Sequence, residues 1–269
     1  MRELRFSQGF PLNRERLSGM IRSIAEGQAI SDEAVGSYMG VNPYMVEGFR
    51  GWLCKTGLGR GTSRNYSLSE FGTILTKCDP DLRLRETQWL MHYYLVSQHD
   101  ERAEVWFRCF NEFLTHDQHF TIPALQDYID RALEQTPSNR KGVESDTKEL
   151  IKTYTNSASL GDLSLLTKIS KTEITAQLTV DPHPLIVAYV LFDSWERRFG
   201  TIDTVRMSQL ISEPESIGKV FVADATQVRR FIQTLQSYGF VSFADTQHEP
   251  VTRRFHDDPL RLLEQFYQA

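Results

Sequence analysis

Three short amphipathic segments, each with its own start signal and little chain between them, most constrain what this protein can fold into. In "NRERLSGMIRSIAEG", Leu17, Met20, Ile21 and Ile24 recur at helical spacing and Gly27 ends the run. Ser31 is placed to cap "SDEAVGSYMG", which puts Val35, Tyr38 and Met39 on one face before the turn Gly40-Val41-Asn42. Asn42 as cap and Pro43 at the first helical position then open a third helix with an inward stripe of Val46, Phe49, Trp52 and Leu53. Three short helices with a tight turn before the last predict a helix-turn-helix.

The next stretch, "GLGRGTSRNYSLSEFG", predicts a hairpin: Leu58 in a short strand, Gly59 to Asn65 as the turn, and Tyr66 and Leu68 inward on the return strand. That order is a winged helix-turn-helix, with glycines expected to supply positive φ at the wing tip. Charge points the same way. The chain carries net −5, yet residues 47–64 hold Arg50, Lys55, Arg60 and Arg64 against Glu47, a local net of +3. The inversion predicts a surface for a polyanion, with Arg50, Lys55, Arg60, Thr62, Ser63, Arg64 and Asn65 as contacts to double-stranded DNA. Tyr44, Met45, Glu47, Gly48 and Gly51 give the third helix few side chains that address base edges, so backbone contact is expected rather than sequence readout. A winged-helix transcriptional regulator, or a protein-docking adaptor without catalysis, is the alternative.

The middle of the chain predicts helices. Trp89, Tyr93, Trp106, Phe110 and Phe113 lie three or four residues from their neighbours along each helix, a spacing that builds a core and needs no stacked bases. In "ESDTKELIK", Asp146, Glu149 and Lys152 follow at three-residue intervals, a set that could hold Mg²⁺ or Mn²⁺ for phosphodiester cleavage. The plainer expectation is a solvated face with Glu144–Lys148 and Glu149–Lys152 ion pairs. His116 and His119 lack further ligands nearby, so no metal centre is expected there. The chain has no phosphate-binding glycine loop and no nucleophile elbow.

After a strand in "EITAQLTV", the segment "DPHPLIVAYVLFDSWERRFG" predicts a buried helix. "TVRMSQLI", the helix "ADATQVRRFIQTLQSYGF" and two alternating runs in "GFVSFADTQHEPVTRRF" follow. This repeats the helices-then-hairpin order and predicts a second winged-helix-like unit, with Lys219, Arg229, Arg230, Arg253 and Arg254 as its positive side chains. Asp258 before Pro259 caps a closing helix. The expected fold class is mainly α with small β-hairpins: an N-terminal winged helix over 1–80, a helical middle domain over 81–180 and a C-terminal winged-helix-like domain over 181–269. Its 40% hydrophobic content suffices for a core. Cys54, Cys78 and Cys109 suit a reducing compartment, and the apolar run Leu185 to Phe192 is too short for a bilayer, so the expectation is a cytoplasmic protein without a membrane partner. A homodimer is left open.

Eight blocks in order, "FPLNRERLSGMIRSI", "GVNPYMVEGFRGWL", "YSLSEFG", "WLMHYYLVS", "WFRCFNEF", "DTKELIKTY", "VLFDSWERR" and "DPLRLLEQFY", resemble an SspB-like bacterial family of unknown function found in DNA phosphorothioation operons. The resemblance implies work on the DNA backbone in antiphage defence, beside a cysteine desulfurase, an ATPase and a PAPS-reductase-like enzyme, and an association with DNA nicking. Relatives carry a histidine and an acidic residue just before the "FPL" block, where this chain reads Ser7-Gln8-Gly9. If those groups take part in cleavage, this protein binds without cutting.

Overall fold

The computed structural model describes residues 4–27, 31–97, 102–133 and 136–268. The first helices are α1 (Arg14–Ala25), α2 (Asp32–Met39) and α3 (Pro43–Lys55), and their caps are those the sequence offers. Asn13 accepts from the Arg16 amide at 2.9 Å, Ser31 from Ala34 at 3.2 Å and Asn42 from Met45 at 2.9 Å. Each satisfies a donor that the first helical turn leaves open. Strands β1 (Gly59–Thr62) and β2 (Asn65–Leu68) pair antiparallel, and α4 (Glu70–Cys78) follows. The paired strands extend into the expected seven-residue turn and leave Ser63-Arg64 as the connection, because Thr62 and Asn65 are already partners in the ladder.

The middle contains α5 (Arg85–Val96), α6 (Glu104–Arg108) running into a π-helical turn at Cys109–Phe113, α7 (Ile122–Ala132) and the long α8 (Pro137–Thr155). It is not purely helical. Strands β3 (Gln118–Thr121), β4 (Leu166–Lys168) and β5 (Glu173–Ala176) form an antiparallel sheet in the order β3-β5-β4, with Phe120 opposite Ile174. Strand β3 is too short and polar to show an alternating pattern, and pairing across more than fifty residues of chain creates it.

The last third runs α9 (Pro184–Phe199), β6 (Thr204–Arg206), α10 (Met207–Ser212), α11 (Ile217–Val220), α12 (Ala225–Ser237), β7 (Val241–Phe243), β8 (Pro250–Arg253) and α13 (Leu260–Gln268). The expected hairpin gains a third strand, giving the order β6-β8-β7. Asp258 accepts from the Leu260 amide at 2.9 Å at the start of α13.

A connected core of buried side chains extends from Phe6 to Leu263. Trp89, Tyr93, Trp106 and Phe110 lie inside it, and Phe113 packs edge-on against Phe120. Packing crosses the boundaries expected near 80 and 180: α13 lies against α4, α5 against α9, and the Tyr267 hydroxyl meets Thr87 at 2.6 Å. Among the described residues no helix is long and apolar enough to cross a membrane.

Candidate nucleic-acid interface

The β1–β2 hairpin borders this core, with Tyr66 of β2 and Leu58 just ahead of β1 buried in it. Its opposite face is open to solvent, and Arg60, Thr62, Ser63, Arg64 and Asn65 are exposed. The glycines act differently from the expectation. Positive φ occurs at Gly57 (+73°), ahead of the strand, where a side chain would also strike the Tyr94 ring. Gly59 in β1 is required for close approach instead, since a Cβ there would sit 2.7 Å from the Ser67 carbonyl oxygen. The Ser63 carbonyl accepts from the Asp32 amide at 3.0 Å, tying the hairpin tip to the start of α2.

Charge at the site is sorted by this geometry. Among the described residues, neither Arg60 nor Arg64 has an ion-pair partner. Arg50 is diverted: its guanidinium lies 2.5 Å from Asp32, which also accepts from the Tyr66 hydroxyl. Burial disfavours the Arg50 charge, but the hydrogen bond and charge of Asp32 outweigh it and raise its pKa. Burial, then Asp32, pushes the Tyr66 phenol up as well. Lys55 is buried, with its ammonium 5.9 Å from the Phe6 ring centroid. Arg50 and Lys55 therefore do not belong to an exposed contact surface, contrary to the expectation.

The outer face of α3 is also partly covered. Residues 6–10 lie across it, so close that a Cβ at Gly48 would be 2.5 Å from the Ser7 carbonyl oxygen and one at Gly51 2.2 Å from that of Phe6. Gln8 donates to Glu47 at 3.1 Å, and Tyr44 remains exposed with its ring against Phe10. The Ser7-Gln8-Gly9 position is thus part of the packing between the amino-terminal segment and α3.

In the last third, most expected cations are engaged. Arg229 binds Glu249 through two bonds of 2.8 and 2.9 Å, and Arg230 lies 2.6 Å from Asp181. Arg253 donates to the Phe255 carbonyl and covers the Phe192 ring. Lys219 is half-buried, donates to the Leu114 carbonyl at 3.0 Å, and has its pKa lowered by burial. Arg254 is exposed, with one bond of 3.2 Å to Ser242.

Of the three α8 carboxylates only Glu144 is solvated, although the expected Glu149–Lys152 pair forms. Asp146 and Glu149 are buried, and Asp146 accepts from the Arg5 amide at 2.7 Å. Glu149, 4% exposed, pairs with Lys152 at 2.8 Å while its second oxygen has no hydrogen-bond partner. Glu144 lies 3.9 Å from Arg140 rather than pairing with Lys148. Among the described residues, no three histidine, cysteine or acidic side chains come together as a metal-binding group. His116 donates through Nδ1 to the Val222 carbonyl at 2.8 Å, and His119 meets the Thr175 hydroxyl at 3.1 Å.

The arrangement of helices and small sheets is one already seen in solved structures. A magnesium-ion-bound SspB crystal structure and a second SspB crystal structure each superpose with a TM-score of 0.80 at 17% identity, covering 100% of this chain and 88% of theirs. No curated protein matches the chain. The particular family is set by sequence: residues 8–267 match the model described as protein of unknown function (DUF4007), and the chain belongs to that family.

Proposed function

We propose that this protein is a DNA-contacting component of a bacterial DNA phosphorothioate-modification and antiphage defence system. In this reading α1–α3 with β1–β2 form a winged helix-turn-helix, and α9–α12 with the β6-β8-β7 sheet form a second winged unit. The observation that carries the proposal is Arg60 and Arg64, exposed without ion-pair partners on a hairpin anchored to a rigid helical scaffold, while Arg50, Arg229 and Arg230 are neutralised. Guanidinium groups held in water beside hydroxyls and an amide suit phosphate oxygens. The covering of α3 by residues 6–10 favours backbone contact over base reading and disfavours a sequence-specific regulator. The modification enzymes implied by the family resemblance are the expected protein partners.

Replacing Arg60 and Arg64 with alanine is expected to weaken binding to duplexes of unrelated sequence equally, on the order of tenfold at low salt, and to reduce the slope of log K against log salt by about two. Fluorescence anisotropy over a salt series checks this. An unchanged slope removes the hairpin from the interface.

Nicking has a narrower basis. Asp146 and Glu149 are enclosed and lack a third ligand among the described residues, so they do not fit a magnesium centre and no step is assigned to one. The pair is expected to be structural. Any nicking of supercoiled plasmid in Mg²⁺ or Mn²⁺ should persist in the Asp146→Asn, Glu149→Gln double variant. Loss of nicking in a variant with a native circular dichroism spectrum would place the cutting site on α8 instead.

A further inference from the structure

We infer that the β4–β5 hairpin is a second DNA-contacting element, with Lys168 and Lys171 on phosphates and Ile169 pressed into the groove between them. The inference rests on the DNA-binding reading above but on different residues. Segment 164–176, "SLLTKISKTEITA", has one carboxylate, Glu173, against two lysines. Its tip is rigid. The Glu173 carbonyl accepts from the amides of Ile169 and Ser170 at 2.9 and 3.3 Å, and the Ser170 hydroxyl oxygen accepts from those of Thr172 and Glu173 at 3.4 and 3.2 Å. Leu166 and Ile174 are buried beneath it, and β4 packs on α8.

On that mount, Lys168 and Lys171 are exposed and, among the described residues, neither has an ion-pair partner. Ile169 is 55% exposed in the turn, one residue past the last ladder pair, Lys168 opposite Ile174. A β-branched side chain held in water by a tight turn gains nothing from its own fold. Two flanking cations make an anionic partner the complementary one, and a lysine–isoleucine–lysine tip matches the combination used to hold phosphates while an apolar wedge meets base edges. The geometry parallels β1–β2: a short hairpin with a buried inner face and exposed cations on its outer side.

The test uses the full-length chain and a short duplex carrying 2-aminopurine, with binding measured across a salt series. Lys168→Ala with Lys171→Ala should reduce the salt slope by about two and affinity on the order of tenfold. Ile169→Ala should leave the slope unchanged, weaken binding about fivefold and abolish any rise in 2-aminopurine fluorescence on binding. The control pair Lys77→Ala, Lys141→Ala, also exposed cations, should leave slope and affinity near wild type. An unchanged slope in the Lys168, Lys171 variant, with a reduced slope in the Arg60, Arg64 variant, overturns this inference and leaves the DNA reading standing. A slope reduced equally by the control pair overturns it too, since any surface cation would then serve. Absence of duplex binding by the wild type overturns the DNA reading itself.

Discussion

Lowering the pH from 7 to 5 is expected to cost this protein about 2 kcal/mol of stability through His92, rising to about 3 kcal/mol below pH 4. His92 is fully buried on α5 among Trp89, Phe110 and Tyr154. One ring nitrogen lies 2.7 Å from the Val220 carbonyl, which can only accept, so Nε2 carries the proton. Nδ1, 2.6 Å from the Tyr154 hydroxyl, then accepts, and the neutral ring joins α5, α8 and α11. Burial pushes the pKa down from 6.5 to about 4, against the opposing effect of the Val220 bond. Between those values the unfolded chain binds a proton that the folded one refuses, so stability falls as the pH falls. Below the folded value both states are protonated and the loss is complete. Urea midpoints at constant ionic strength measure it. His92→Gln, which keeps a donor for Val220 but cannot be protonated, should be less stable at pH 7 and flatter between pH 7 and 5. An equally steep loss in that variant would assign the pH dependence to other groups.

His92 also illustrates what the sequence alone conveys. The buried aromatic stripe of Trp89 and Tyr93 beside it is legible, because burial follows a local period of 3.6 residues. The partners of His92 are not, since Tyr154 and Val220 are 62 and 128 residues away. The same division separates the two halves of the candidate interface. Asn42 and Pro43 announce α3 because capping acts within one turn, and the exposed tip at Arg60 and Arg64 follows from glycine-rich polar chain between two apolar residues. Arg50 and Lys55 look equivalent to them in sequence. They are removed by contacts set by tertiary packing: Asp32 on a preceding helix, and Phe6 from the amino-terminal segment. Arg230 meets Asp181 across 49 residues in the same way. A run of like charge therefore marks a candidate patch, while long-range pairing decides which members stay available. The β4–β5 tip gives no such sign for the converse reason, because two lysines within a short polar segment make no charge run.

Trp52→Ala is expected to be the most damaging single change near the interface, at about 3–5 kcal/mol. Trp52 is fully buried on α3, and its indole edge packs against Phe6 and Trp106 at centroid distances of 4.9 and 5.4 Å. Its Nε1 donates to the Phe10 carbonyl at 2.8 Å. One side chain thus holds the amino-terminal segment, α3 and α6 together, and truncation both opens a cavity and leaves the Phe10 carbonyl without its donor. Trp52→Phe retains most of the packing and loses the N–H, so about 1–2 kcal/mol is expected. Urea denaturation of the two variants separates the contributions. The functional consequence is distinct from the loss of stability. Residues 6–10 shield Gly48 and Gly51 because Phe6 and Phe10 are anchored on Trp52, so in Trp52→Phe the weakened segment should exchange its Phe10 and Trp52 amides faster while Arg60 and Arg64 keep their exposure. Duplex affinity in that variant should stay within about twofold of wild type if the hairpin tip carries the contact. A large fall in affinity at full folding would instead make the covered face of α3 part of the interface.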